Sequence, residues 1–284
     1  MSRIAYCAGR YTRHLDAVVS IDDRGFQFGD GVYEGLAVYK GQIIDIEPHQ
    51  ARLFRSLAEL DMDPPMSDDA MRVVYQQVIK KNHVYNGFLY IQITRGVAKR
   101  DHAFPKASLP TLVVTCRPQD YQAIRKRALG GAKAVTGQDE RWGRCDIKSI
   151  NLLPNVLGKQ KARAAGAFET IMLDGDGMVT EGTSSNTWVV KDNTLYTRSI
   201  DDNILAGVTR MTVLSLAEEL QMKIVKLPVS LDELFAADEV FLTGTSSCVM
   251  PITEVDGKQI GSGKPGSIGL KLIERYFDYM DKAA

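Results

Sequence analysis

The chain has no excess of either charge: its 284 residues hold 35 Lys plus Arg against 35 Asp plus Glu. No overall basic field is present to recruit a nucleic acid, and no polybasic tail to hold a membrane surface, so any bound anion must be held by a local site. Cysteine is scarce. Cys7, Cys116, Cys145 and Cys248 lie far apart and form no C-x-x-C pair, which argues against a disulfide framework or a zinc ribbon and for free thiols in a reducing compartment. His14, His49, His83 and His102 show no metal-ligand spacing with one another or with the cysteines. The first residues, MSRIAYCAGRYTRHLDAVV, lack the apolar core of a signal peptide, and no apolar run is long enough to cross a bilayer. A cytoplasmic location is the expectation. Internal repeats and low-complexity segments are missing as well.

What is there is ordinary for a soluble globular enzyme: 44% hydrophobic and 25% charged residues, in a chain long enough for one large domain or two moderate ones. The first third reads as strands with helices inserted. Ile4 to Tyr11 and Ala17 to Val19 are strand candidates, and Leu36–Tyr39 and Gln42–Ile46 flank Lys40-Gly41, a hairpin signature. A helix is expected from Pro48, with Leu53, Leu57 and Leu60 at helical spacing. A second is expected from Ser67 to Lys81, with Ser67 as N-cap and Asp68 and Asp69 in the first turn. Phe88–Thr94 and Thr111–Cys116 read as paired strands, separated by the long polar loop 95–110. The polar stretch 118–127 is the expected linker between a small N-terminal domain, 1–117, and a larger one, 128–284. In the latter, helices are expected near 154–165, 208–221 and 267–280. The last two present Met211, Leu214 and Leu220, and Ile268, Leu272 and Tyr276, on one face. GSGKPG at 261–266 satisfies G-x-G-x-x-G literally, but it contains a proline and leaves no room for a following βαβ unit, so it is no dinucleotide site.

The chemistry concentrates in residues 144–186. Lys148 stands among Ile147, Ile150, Leu152 and Leu153, and apolar surroundings disfavour an ammonium ion, leaving an amine able to act as nucleophile or base. Farther on, Ile171, Met172 and Leu173 and a turn at Gly175 and Gly177 deliver Thr180, Glu181 and Gly182. A lysine and a carboxylate held apart in this way suit a pyridoxal phosphate site, the lysine carrying the cofactor as a Schiff base and the carboxylate keeping the ring nitrogen protonated. Singly, each residue has a plainer reading as a solvated lysine or a turn glutamate; the surrounding motifs decide otherwise.

Those motifs are DRGFQFGDGVYE (23–34), EPHQARL (47–53), KRDHAFP with its R-x-H (100–102), IKSINLLPNV (147–156), EGTSSN (181–186), ILAGVTR (204–210) and FLTGTSS (241–247). In this order, spanning nearly the whole chain, they resemble the class IV pyridoxal-phosphate aminotransferases, most closely the bacterial D-amino-acid transaminases. The resemblance implies fold type IV: an α/β protein of α+β type in two domains, with a small N-terminal α+β domain and a larger C-terminal, β-barrel-like domain with flanking helices. It implies pyridoxal 5'-phosphate as cofactor, joined to Lys148, which also moves the proton at the substrate α-carbon. Glu181 would face the pyridine nitrogen and Leu205 the ring face. The phosphate would lie at the helix start formed by Val208 and Thr209, with Arg52 and Thr245 completing the cradle. Without the resemblance, Arg52 reads as a solvated helix residue pairing with Glu59.

Tyr33, Arg100 and His102 would bind the substrate α-carboxylate, the last two reaching the partner's site in a homodimer; guanidinium plus imidazole is a reasonable carboxylate receptor. The same R-x-H loop favours D-amino acids over branched-chain L-amino acids. The implied reaction transfers the amino group of a D-amino acid such as D-alanine to an α-keto acid, 2-oxoglutarate or pyruvate. Alternatives on the same fold are a lyase of aminodeoxychorismate type and a branched-chain or (R)-amine transaminase; a catalytically silent binding protein is a further reading. Cys248 departs from the family, standing where relatives often carry Glu.

Overall fold

A computed structural model describes residues 3–200 and 203–284. The chain divides into two compact units, one of Met1–Asp120 with Ile147–Asn151 and Ala283–Ala284, the other of Tyr121–Asp146 and Leu152–Lys282.

In the first unit the chain opens with β1 (Ile4–Cys7) and β2 (Arg10–Arg13), a hairpin where the sequence suggests a single strand. Ala8 and Gly9, at φ 46° and 87°, make the turn. Ala17–Val19 forms no strand; Val18 is exposed, so this short apolar run has no sheet face to bury. Helix α1 (Arg24–Phe28) is capped by the Asp23 carboxylate, which accepts from the Gly25 N–H. Strand β3 (Gly31–Tyr39) turns into β4 (Gln42–Ile43) at Lys40 and Gly41. Both turn residues have positive φ, 50° and 82°, as a tight right-twisted hairpin requires. Helix α2 (Ile46–Ala58) starts ahead of Pro48, which still falls in the first turn, where its missing N–H costs nothing. Helix α3 (Asp68–Lys81) has Ser67 as its N-cap, accepting from the Ala70 N–H. Strands β5 (Gly87–Thr94) and β6 (Thr111–Pro118) pair along their length. The sheet runs β2-β1-β6-β5-β3-β4, and α2 and α3 cover it with Leu53, Leu57, Met71 and Tyr75 over Leu36, Leu89 and Ile91.

The second unit begins with α4 (Tyr121–Gly130). Most of the stretch expected as linker is thus helical, because Tyr121 and Ala128 supply a buried apolar face. There follow β7 (Ala132–Gln138), α5 (Leu153–Ala164), β8 (Glu169–Leu173), β9 (Val179–Gly182), β10 (Asn186–Lys191), β11 (Thr194–Thr197), α6 (Val208–Glu219), β12 (Lys223–Lys226), α7 (Leu231–Phe235), β13 (Glu239–Gly244), β14 (Cys248–Val255), β15 (Lys258–Gln259) and α8 (Ser267–Ala283). They build a mixed sheet in the order β12-β11-β10-β13-β14-β7-β8-β9, with β15 beside β14. Trp188 and Phe241 stack in its core at 5.5 Å. Helix α6 buries Val213, Leu216 and Ala217, while Met211, expected inward, is exposed. The apolar residues of this helix surround it too evenly for sequence spacing to single out one face. On α8 the inward residues include Leu272 and Tyr276, as the spacing predicts. Among the described residues no helix is long and apolar enough to cross a membrane.

The short segment Ile147–Asn151 belongs with the first unit although its neighbours on both sides belong with the second. It is laid against β3: Ser149 bridges Val32, the Tyr33 N–H donates to the Lys148 carbonyl at 3.0 Å, and the Ile150 N–H donates to the Gly31 carbonyl at 3.0 Å. Gly31 is required there. A Cβ on it would stand 2.6 Å from the Ile93 carbonyl and 3.1 Å from Ile150 Cδ1. Gly31→Ala is therefore expected to destabilise the protein by about 1–3 kcal/mol, as overpacking does, read as a lowered urea midpoint. It should also quicken amide exchange at Tyr33 and Ile150.

Candidate active site

The bond from Tyr33 and a second from the Lys148 N–H to Ser56 Oγ, at 3.3 Å, fix the backbone on both sides of the Lys148 side chain. Its Nζ lies over the Tyr33 ring, 4.2 Å from the centroid, where the negative ring face favours a cation. Tyr33 itself packs on Tyr90 at 5.7 Å. Lys148 is half-buried; Leu153, expected to help shield it, is 69% exposed at the start of α5. Three of the thiols offer no competing nucleophile. Burial pushes Cys116 and Cys145 up to about 11 and Cys248 up to about 12, so none of them presents a thiolate near neutral pH.

Arg52 is not the solvated helix residue of the plainer reading: it is buried and paired with Glu34 of β3. Its Nε donates to Glu34 Oε1 at 2.7 Å and its Nη2 to Oε2 at 2.8 Å, while His49 Nδ1 lies 2.7 Å from Oε2. Burial alone would raise the Glu34 carboxyl, but the Arg52 charge and then His49 outweigh it and hold the group well below the ordinary carboxylate range. The pair fixes the direction of the Arg52 fork.

In the second unit, Glu181 sits buried on β9 and collects donors. Arg141 Nη1 binds Oε1, the Asn186 amide donates to Oε2 at 2.8 Å, and the Leu205 N–H donates to Oε1 at 3.2 Å. Asp139 holds Arg141 in turn, Nε to Oδ1 at 2.9 Å and Nη2 to Oδ2 at 2.7 Å, and accepts the Thr180 hydroxyl at 2.7 Å. Burial would raise Asp139, yet Arg141 keeps it below its usual value. Three donors thus converge on one buried carboxylate and fix its direction.

Leu205 leads into α6, whose N-cap Gly207 has no side chain to occupy the free helix end. A Cβ at Gly207 would meet Asn186 Oδ1 at 2.0 Å, so the uncapped end is built in. Val208 and Thr209, both buried, form the first turn. Thr245 is half-buried in the turn between β13 and β14, closed by a bond from the Ser247 N–H to the Gly244 carbonyl at 3.1 Å.

Arg100 and His102 are exposed on the 95–110 loop and gather on one ring. The Arg100 guanidinium stands 4.7 Å from the Phe28 centroid and the His102 imidazole 5.5 Å from it. Tyr33 is instead engaged with Lys148. Sequence reading missed Glu34, Arg141, Asp139, Asn186 and Phe28. Glu34 carries a readable mark, a carboxylate in phase with the inward-facing Val32, Leu36 and Val38 of β3. Arg141 and Asp139 carry none, because a charged pair at i, i+2 in a polar stretch looks solvated.

The family model described as Amino-transferase class IV matches residues 31–255. Among similar proteins, the D-alanine aminotransferase of Bacillus licheniformis is 44% identical over 260 residues, 92% of this chain and 91% of that one. Those of Staphylococcus epidermidis and Listeria monocytogenes are 38% and 37% identical; the matches cover 96% and 94% of this chain and 96% and 93% of theirs. Among solved structures, the Escherichia coli branched-chain amino acid aminotransferase superposes with a TM-score of 0.90 at 25% identity, over 99% of this chain and 95% of that one. The branched-chain aminotransferase of the archaeon Thermoproteus uzoniensis, solved with norvaline, gives 0.86 at 26%, over 100% and 96%. On this footing the chain belongs to the class IV aminotransferases and has their fold.

Proposed function

We propose that this aminotransferase uses pyridoxal 5'-phosphate to move the amino group of a D-amino acid, D-alanine foremost, to an α-keto acid such as pyruvate or 2-oxoglutarate. The observation that carries this is Lys148, an amine held from its backbone by Tyr33 and Ser56 with its tip over an aromatic face. Support for the substrate comes from the relatives named D-alanine aminotransferase and from the R-x-H of residues 100–102.

The residues fit the cofactor. The open, side-chain-free start of α6 suits a phosphate, bound by the Val208 and Thr209 N–H groups and the Thr209 hydroxyl. Arg52 and Thr245 are assigned to the same anion, and Leu205 to the ring face. The Glu181 carboxylate, oriented by its donors, would accept from a ring N–H. When bound, the cofactor supplies a pyridinium that accepts the electrons left at the substrate α-carbon. Lys148 would hold the cofactor and, as the site's base, would take and return the proton at the substrate α-carbon. Tyr33, Arg100 and His102 bind the substrate carboxylate, and in a homodimer the last two would serve the partner's site.

The purified protein should take up pyridoxal 5'-phosphate, turn yellow and bleach on addition of D-alanine. A colourless protein that refuses the cofactor would remove the proposal. Lys148→Ala should lower turnover by at least roughly 10²–10⁴-fold, the usual worth of a positioned acid–base group. Arg100→Ala should raise the apparent KM for D-alanine by roughly 10–100-fold, the loss of one charge-assisted hydrogen-bond partner. Steady-state kinetics over a panel of D- and L-amino acids and amines checks both, and an unchanged KM would show that the loop does not bind the carboxylate.

A further inference from the structure

Arg100 and His102 sit on a loop with no regular structure of its own, yet a carboxylate receptor works only if its two cationic groups are held in register. The first unit contains the means. Arg24, on α1, is 3% exposed, and its guanidinium is turned to the loop's backbone. Nη1 donates to the Asp101 carbonyl at 2.6 Å and to the Ala103 carbonyl at 3.3 Å, and Nη2 to the His102 carbonyl at 3.4 Å. Three consecutive carbonyls around His102 thus converge on one side chain. The remaining donor, Nε, binds Asp30 Oδ2 at 2.7 Å. Asp30 holds a second guanidinium: Arg95 Nε reaches the same oxygen at 2.8 Å, and its other nitrogens donate to the Leu60 and Asp61 carbonyls at 2.7 and 3.1 Å.

Arg95 opens the loop, and Phe104, beyond the R-x-H, stacks on it with the guanidinium 3.7 Å from the ring centroid. The loop is closed on itself by that contact. Its early part is tied to the chain before α1: the Arg24 N–H donates to the Gly96 carbonyl at 2.9 Å, the Ala98 N–H to the Asp22 carbonyl at 3.2 Å, and Asp23 bridges Val97. Phe28, one turn along α1 from Arg24, lies under Arg24 at 4.8 Å and under Arg100 at 4.7 Å, with His102 against it.

We infer that Arg24, braced by Asp30 and backed by Phe28, is the positioning residue of the substrate-carboxylate receptor, setting the distance and direction of Arg100 and His102. Arg24 touches no substrate. It acts by fixing the backbone on both sides of His102, while the Phe28 ring fixes the plane of Arg100. This inference rests on the proposed role of Arg100 and His102. Lysine cannot replace Arg24, since one ammonium on a flexible stem lacks the fork that reaches three carbonyls and Asp30 together.

The test compares Arg24→Lys, Phe28→Leu and Arg100→Ala in the cofactor-loaded protein, reading KM and kcat for D-alanine, the Ki of propionate as a competing carboxylate, and retention of pyridoxal 5'-phosphate. For Arg24→Lys and Phe28→Leu, the expected result is a rise of roughly tenfold in both KM and Ki. Turnover should stay within about twofold, and cofactor retention should be unchanged. A merely structural role would lower turnover and cofactor retention along with affinity, and that pattern in both variants overturns the inference. Unchanged KM and Ki in both, with Arg100→Ala raising them, also overturns it and leaves the carboxylate reading standing. Unchanged values in all three remove the reading and the inference together. Should Arg24→Lys fail to fold, the Phe28→Leu result decides alone, because that half-buried ring can be trimmed without leaving a buried charge unpaired.

Discussion

The structure depends on five residues, Ile147–Asn151, being hydrogen-bonded to β3. A lysine side chain has a flexible four-carbon stem, and its amine is useful in chemistry only if the backbone beneath it does not move. Here the Lys148 carbonyl, its own N–H and the flanking Ile150 N–H are all committed, to Tyr33, Ser56 and Gly31. Two of those partners lie on β3, a strand buried in the middle of a hydrogen-bonded ladder with β5. The rigidity of the sheet is thereby lent to a residue that lies outside it. Gly31 follows from the same constraint, since close approach to Ile93 and Ile150 leaves no room for a side chain there.

Buried guanidinium–carboxylate pairs recur within each unit: Arg52 with Glu34, and Arg24 and Arg95 with Asp30, in the first, Arg141 with Asp139 and Glu181 in the second. Such pairs contribute little to net stability, because desolvating both charges offsets most of their attraction, and apolar replacements often do as well. What they supply is direction. A bidentate pair sets the plane of a guanidinium and leaves the remaining nitrogens aimed at one place. In each cluster a residue that sequence reading assigns a role is oriented by a partner it did not assign: Arg52 by Glu34, the R-x-H loop by Arg24, Glu181 by Arg141.

This division explains what is legible in the sequence. The Lys40-Gly41 hairpin and the Ser67 cap are local: two residues able to take positive φ, or a hydroxyl within reach of an N–H three residues on, decide them without tertiary context. The motif residues Lys148, Glu181 and Thr209 stand out because their neighbours in sequence are distinctive. The helical character of 121–130 does not, since its apolar face rests on only two fully buried side chains, Tyr121 and Ala128. Nor does the membership of 147–151 in the first unit, which is settled by bonds to residues far earlier in the chain, Gly31, Tyr33 and Ser56. Orienting partners such as Arg24 and Arg141 are hidden for the same reason, because a buried charge and a solvated one are spelled alike.

A fold shared with branched-chain enzymes does not by itself choose a substrate. Selection has to come from groups that touch the part of the substrate in which candidates differ, and all α-amino acids carry the same carboxylate. A receptor for that carboxylate can discriminate only by where it stands, because its position decides which face of the α-carbon is turned to the lysine and which side the side chain must occupy. For the receptor proposed on the 95–110 loop, placement then matters more than the identity of its two cations. On that proposal Arg24, held by Asp30 and bonded to the carbonyls of residues 101–103, keeps the backbone of Arg100 and His102 in one place.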